Sequence, residues 1–324
     1  MGRVKGEADL RTPGVQRSIV ILAFGAPEKI IQPDGSEELG TVLPFTDVYA
    51  SLDAIKDVVQ RFAIGYTDGV DGDGVGDDNS FITIIAGTSN LDPNDEGFVT
   101  DEHGRQWANM VEDLQDWLET HNLNEQIEVT GGSDMELVWS RPSTTIAWVN
   151  GYRQVTQERS GRFLYNFGDA AGCPPVGGDP AGGNCEPGGD NVPWEVDWVW
   201  TSEQVWYISR GVGNTFPIPQ IYNRDPDDNP GISSNAEQWT LLKLDAANNN
   251  RTPTLLVLGT LTQRQRCDDL AATGDDACAQ AGTDNTSRQG WLEMYNELND
   301  FPETEQSVIP YRTDIREPRT GRDF

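Results

Sequence analysis

Histidine is almost absent from this chain: it occurs at His103 and His121 and nowhere else in 324 residues. Both sit in a stretch whose pattern places them around the surface of a helix. That scarcity, together with the lack of a G-x-S-x-G elbow, argues against nucleophilic triad chemistry. The chain also contains no C-x-x-C, so a zinc site is not indicated. It has neither a G-x-G-x-x-G after a strand nor a G-x-x-x-x-G-K-[ST], so no nucleotide motif and no organic cofactor are indicated. Basic residues are scarce as well. Lys and Arg total 23 against 53 Asp and Glu, a net charge of −30. Such a surface repels nucleic acid and anionic membranes. It suits cations, high salt or an acidic extracellular medium. No apolar run is long enough to span a bilayer. Met1 to Gln16 is polar and lacks the apolar core of a signal peptide, so a secreted form would carry its leader outside this numbering.

Cysteine is limited to four residues, and their spacing is informative. Cys173 with Cys185, and Cys267 with Cys278, each bracket a loop rich in Gly, Pro and Asp. Two local disulfides follow from that spacing, each contributing ~3 kcal/mol through loop closure. They imply an oxidising compartment, outside the cell or on its surface. The alternative is four free thiols in a cytosolic protein.

Against these absences stands a regular alternation of apolar runs. Strands are expected at 18–25 (SIVILAFG), 61–67 (RFAIGYT), 81–87 (FITIIAG), 126–130, 162–168 (RFLYNFG), 205–209 (VWYIS), 218–222 (IPQIY) and 254–260 (TLLVLGT). Helical spacing marks 47–60, 102–121, 143–157, 234–247 and 288–298. Residues 26–46 read as a loop with a Pro33-Asp34-Gly35 turn. Strands alternating with helices indicate an α/β fold with parallel strands. Eight strands in about 300 residues favour a (β/α)8 TIM-like barrel with long disulfide-stapled loops. The expected layout is an irregular arm over 1–16, a single barrel-like domain over 17–300 and a polar tail over 301–324.

The stretch Ile127-Glu128-Val129-Thr130-Gly131-Gly132-Ser133-Asp134-Met135-Glu136-Leu137 carries the sharpest chemical signal. If 133–137 stays extended, Asp134 and Glu136 point the same way, roughly 6–7 Å apart at Cα. Two carboxyls so placed can take different protonation states, as glycoside hydrolysis requires. The bland reading is a pair of solvated or calcium-binding acids. Asp169, after the expected fifth strand, is a candidate third acid or a turn residue. Trp194, Trp198 and Trp200, with Tyr222 and Trp239, are candidate sugar-stacking residues; the alternative is a Trp-rich core. Residues 68–79 read DGVDGDGVGDDN, and Asp71, Asp73, Asp77 and Asn79 are candidate Ca2+ ligands in a loop like those of thrombospondin-type and dockerin-type repeats. The alternative there is a solvated acidic loop.

The eight-strand pattern, the strand-end Asp134-Met135-Glu136 and the late Gln238-Trp239 together resemble the lysozyme-type family 25 glycoside hydrolases and uncharacterised bacterial relatives, loosely over residues 17–262. The resemblance implies a barrel in which the Glu of the D-x-E, here Glu136, is the general acid. That family also places an Asp just after its first strand and its late Gln-Trp in a strand. Here the first strand ends Phe24-Gly25-Ala26-Pro27 with no acid until Glu28, and Gln238-Trp239 falls in a helix pattern. Two readings follow. One is a secreted hydrolase of a polysaccharide or cell-wall glycan with Glu136 as acid, Asp134 as the ionised partner and Asp169 in the cleft. The other is a non-catalytic extracellular glycan-binding, surface-layer or self-assembling filament protein on the same scaffold.

Overall fold

The computed structural model describes residues 1–44, 46–71, 79–92, 97–170, 172–173, 184–185, 197–223 and 234–315. The chain divides into two compact units. One comprises Met1–Met135 with Trp139–Tyr165, the other Glu136–Val138 with Asn166–Phe324. Both are α/β with parallel strands.

In the first unit, β1 (Arg17–Ala23) pairs in parallel with β5 (Phe81–Ser89), and β5 pairs in parallel with β6 (Ile127–Asp134). β7 (Leu164–Asn166) lies next to β6. β1 and β5 are near-continuous apolar runs, as suits strands of a parallel sheet covered by helices, where alternation with polar residues is not needed. α2 (Leu52–Asp71), α3 (Asp101–Thr120) and α4 (Pro142–Arg159) supply buried apolar faces. α3 starts where Thr100 accepts a hydrogen bond from the His103 N–H at 3.1 Å, with Asp101 and Glu102 in its first turn. Such caps satisfy donors that the helix itself cannot. Trp107 of α3 docks on the sheet by donating its indole N–H to the Ala86 carbonyl at 3.1 Å.

Four expectations for this unit change. Residues 26–46 are not a loop. They contribute β2 (Ala26–Ile31) and β3 (Glu37–Val42), which with β4 (Tyr49–Ser51) form an antiparallel sheet around the expected turn at Gly35. The expected strand over 61–67 is the second half of α2. Ile55, Val59, Phe62, Ala63, Tyr66 and Val70 keep helical spacing through it, and a seven-residue apolar run does not distinguish the two periods. The amino-terminal arm is a helix, α1 (Gly2–Arg11), laid against α2. Gly6 and Gly69 permit this contact: a Cβ on Gly6 would sit 2.3 Å from the Tyr66 carbonyl oxygen, and one on Gly69 2.4 Å from that of Arg3. Buried Asp9 on α1 pairs with Lys5 and accepts from Ser18 Oγ at 3.0 Å and from Tyr66 OH at 3.2 Å. Finally, His103 is not on a helix surface. It is fully buried among α3, α4 and β3.

In the second unit, β8 (Asn184–Cys185) pairs antiparallel with β9 (Trp200–Thr201). α5 (Ser202–Trp206) and a π turn (Tyr207–Gly211) then replace the expected strand over 205–209. The reason is local. Thr201 and Gln204 form a capping box that starts a helix just ahead of the β-prone Val-Trp-Tyr-Ile run. β10 (Thr215–Pro217) continues into an extended segment through residue 221 that pairs with β11 (Gly259–Thr262); Gln220 faces Leu261 in a parallel bridge. Between them α6 (Asn235–Asn248) matches the helix expected over 234–247, and Ser234 caps it. α7 (Arg264–Ala272), α8 (Ala277–Ala281) and α9 (Ser287–Leu298) follow β11. The polar tail is a further difference: β12 (Tyr311–Asp314) pairs in parallel with β11. Asp314 accepts hydrogen bonds from the Arg264 and Gln265 N–H groups at 2.8 and 2.9 Å, capping α7.

Both disulfides form as the spacing predicts, Cys173–Cys185 and Cys267–Cys278, and no cysteine is free. Among the described residues, no helix is long and apolar enough to cross a membrane.

Candidate functional site

β6 ends at Asp134, so the strand does not carry Glu136. Burial still alternates beyond its end: Met135 and Leu137 are buried while Asp134 and Glu136 are half-exposed. Asp134 belongs to the first unit, where its carbonyl accepts from the Asn90 N–H at 3.0 Å. Glu136 belongs to the second unit, and so do the groups that act on it.

Those groups come from the ends of strands. Asp169 lies just past β7, and Gln220 lies in the extended segment after β10. Burial raises the Glu136 carboxyl most, the negative charge of Asp169 raises it further, and a hydrogen bond with the Gln220 side chain partly offsets both. The carboxyl is pushed up to about 8. A partly buried carboxyl beside a second carboxylate favours its protonated form, because ionising it would place two negative charges together where water screens them poorly. Asp169 is held in turn. Its Oδ1 accepts from Asn235 Nδ2 at 3.1 Å, and the Asn235 backbone N–H donates to Asn223 Oδ1 at 3.0 Å. Asn235 opens α6, so a helix start fixes the residue that orients the carboxylate.

The backbone next to Glu136 is gripped from one side. The Leu137 carbonyl accepts the indole N–H of Trp198 at 3.0 Å and that of Trp200 at 2.9 Å. Trp200 and Trp239 are fully buried, so their rings present no face to a ligand; Trp198 and Tyr222 are half-exposed. Trp194 lies outside the described residues. So do Asp73 and Asp77, while Asp71 ends α2 and Asn79 precedes β5, both exposed. Among the described residues, no group of three or more His, Cys, Asp or Glu could hold a metal ion.

Chemically, the arrangement pairs a protonated carboxyl with a second carboxyl that an amide orients. It can donate a proton to a leaving oxygen and take one from water. Sequence reasoning singled out Glu136 and Asp169 but not Gln220 or Asn235. Gln220 had one visible signal, a lone amide inside the otherwise apolar run Ile218-Pro219-Gln220-Ile221. No protein-family model matches the chain, and no curated protein or solved structure matches it.

Proposed function

We propose that this chain is an extracellular glycoside hydrolase acting on a polysaccharide or cell-wall glycan, with Glu136 as general acid and Asp169 as its carboxylate partner. One arrangement carries the reading: the Glu136 carboxyl lies beside that of Asp169, and burial together with that negative charge pushes it up to about 8. In the reaction, the Glu136 proton passes to the glycosidic oxygen as the bond from that oxygen to the anomeric carbon breaks. The Asp169 carboxylate stabilises the positive charge that develops on the sugar ring. Water then adds to the anomeric carbon and its proton is taken up by a carboxylate. Asp169 thus takes the role that the sequence reserved for Asp134.

The barrel architecture is part of the same proposal. Within each unit the parallel neighbours follow chain order, β1 to β5 to β6 in one, and in the other the segment at Gln220 to β11 to β12. A doubly wound open sheet reverses that order at a switch point, whereas a barrel keeps it. Residues just past strand ends, as Asp169 is, sit where barrels build active sites. The two disulfides and the excess of acid support an oxidising, extracellular setting.

The test is hydrolysis of a polysaccharide and peptidoglycan panel by wild type and Glu136→Gln. Removing the transferable proton should lower kcat by about 10²–10⁴ while leaving ligand affinity nearly intact. Absence of cleavage across the panel, or full activity in Glu136→Gln, would overturn the reading in favour of a non-catalytic glycan-binding or structural role.

A further inference from the structure

Asp169 and Glu136 reach the site on separate segments, and a continuous set of contacts joins the two. Cys173 lies four positions after Asp169 in the chain, and its N–H donates to the Ala170 carbonyl at 2.9 Å. Cys173 is bonded to Cys185. Cys185 lies opposite Trp200 in the β8–β9 pair. Trp200 and Trp198 both donate to the Leu137 carbonyl, one peptide away from Glu136. Cys173, Cys185 and Trp200 are fully buried, so these links lie within packed protein.

We propose that the Cys173–Cys185 disulfide and the indoles of Trp198 and Trp200 act as one positioning frame that sets how the Glu136 and Asp169 carboxyls face each other. The inference rests on the acid–base reading of those two groups. A carbonyl oxygen has two lone pairs, and two donors occupying both fix the Leu137 peptide in two directions. Trp198 and Trp200 are alternate residues, and both side chains reach the same carbonyl. The disulfide then ties that segment to Cys173, close in sequence to Asp169, by a covalent link rather than by packing alone. Sites held this way lose little order when they act. The second disulfide is a built-in control: it joins α7 to α8, elements that carry neither carboxyl.

Burial raises Glu136 most and the charge of Asp169 raises it further, so the Glu136 titration midpoint responds both to water entry and to the distance of Asp169. The experiment follows carboxyl 13C shifts in 13C-glutamate-labelled full-length protein, with the Glu136 signal assigned by its loss in Glu136→Gln. In Cys173→Ser/Cys185→Ser the midpoint should fall by about one pH unit, a tenfold loss of proton affinity, as water enters and Asp169 drifts away. Trp198→Phe keeps most of the ring but loses one donor, and it should lower the midpoint by roughly a third to a half of that amount. Cys267→Ser/Cys278→Ser should leave it at the wild-type value even if the melting temperature falls. An unchanged midpoint in both frame variants, or an equal drop in the control, overturns the proposal. If Cys173→Ser/Cys185→Ser does not fold, Trp198→Phe decides alone: a lowered midpoint supports the frame and an unchanged one refutes it. A protein that cleaves no glycan yet shows these shifts would lose the hydrolase reading and keep the frame.

Discussion

Acidification should destabilise the first unit through His103, well before most carboxylates begin to titrate. The imidazole is fully buried. Its Nδ1 accepts from the Trp148 indole N–H at 2.9 Å, and its Nε2 therefore carries the proton that bonds the Gly40 carbonyl at 2.9 Å. A second proton has nowhere to go, since it would meet the indole N–H head on. Burial accordingly pushes the pKa down from 6.5 to about 4, with the Gly40 bond opposing weakly. In the unfolded chain the same ring takes up its proton near 6.5. Between those values the unfolded state holds more protons than the native state, so stability falls as the pH falls from 6.5 and levels off below 4. From about pH 7.5 to pH 5 the loss is about 2 kcal/mol, approaching about 3 kcal/mol at the acid end. Urea denaturation at both pH values, for wild type and His103→Gln, isolates the contribution. Glutamine preserves an amide donor toward Gly40 but does not titrate. The variant will start less stable, and its deficit should shrink by about 2 kcal/mol at pH 5, because only the wild type loses this contribution. Parallel pH dependence in the two proteins would refute the account of His103.

Asp169→Asn removes the charge that helps hold the Glu136 proton, so the Glu136 midpoint should drop from about 8 toward the ordinary carboxyl range, and the alkaline limb of any pH–activity profile should move down with it. Gly69→Ala places a methyl against the Arg3 carbonyl; it should cost about 1–3 kcal/mol and speed hydrogen exchange in α1. Arg251→Met leaves the fully buried Asp245 carboxylate without its cation and should cost about 3–5 kcal/mol in chemical denaturation. Lys243 is the opposite case. Burial lowers its pKa from 10.5 to about 8, and it bonds Gln306 Oε1, which also accepts from the Val257 N–H. Lys243→Met should be at least as stable as wild type at pH 7, and the wild type should gain stability as the pH rises from 8 toward 10.5 while the variant does not.

Periodicity was legible wherever an element is long and its neighbours are local. The α3, α4, α6 and α9 helices and the β1, β5 and β6 strands fall within a few residues of where apolar spacing places them. It failed where a short run fits two periods. Residues 61–67 joined α2 because Phe62 and Tyr66 continue the buried face of Ile55 and Val59. Residues 205–209 followed the capping box at Thr201 rather than their β-branched and aromatic content. The first helix escaped notice because its contact face is made of Gly2 and Gly6, which carry no hydrophobic signal, and β12 because its strand is polar.

The amino-acid sequence by itself determined the α/β alternation and the two local disulfides. These are properties of spacing along the chain, and nearby residues meet with little loss of entropy. Only the tertiary structure decided that Glu136 answers to Asp169 and Gln220, that Asn235 holds Asp169, and that Trp200 braces a peptide instead of facing a ligand. Each of those contacts joins residues far apart in sequence. Which of many acids, amides and indoles meet is set by how the strands and helices pack, and no local pattern encodes it.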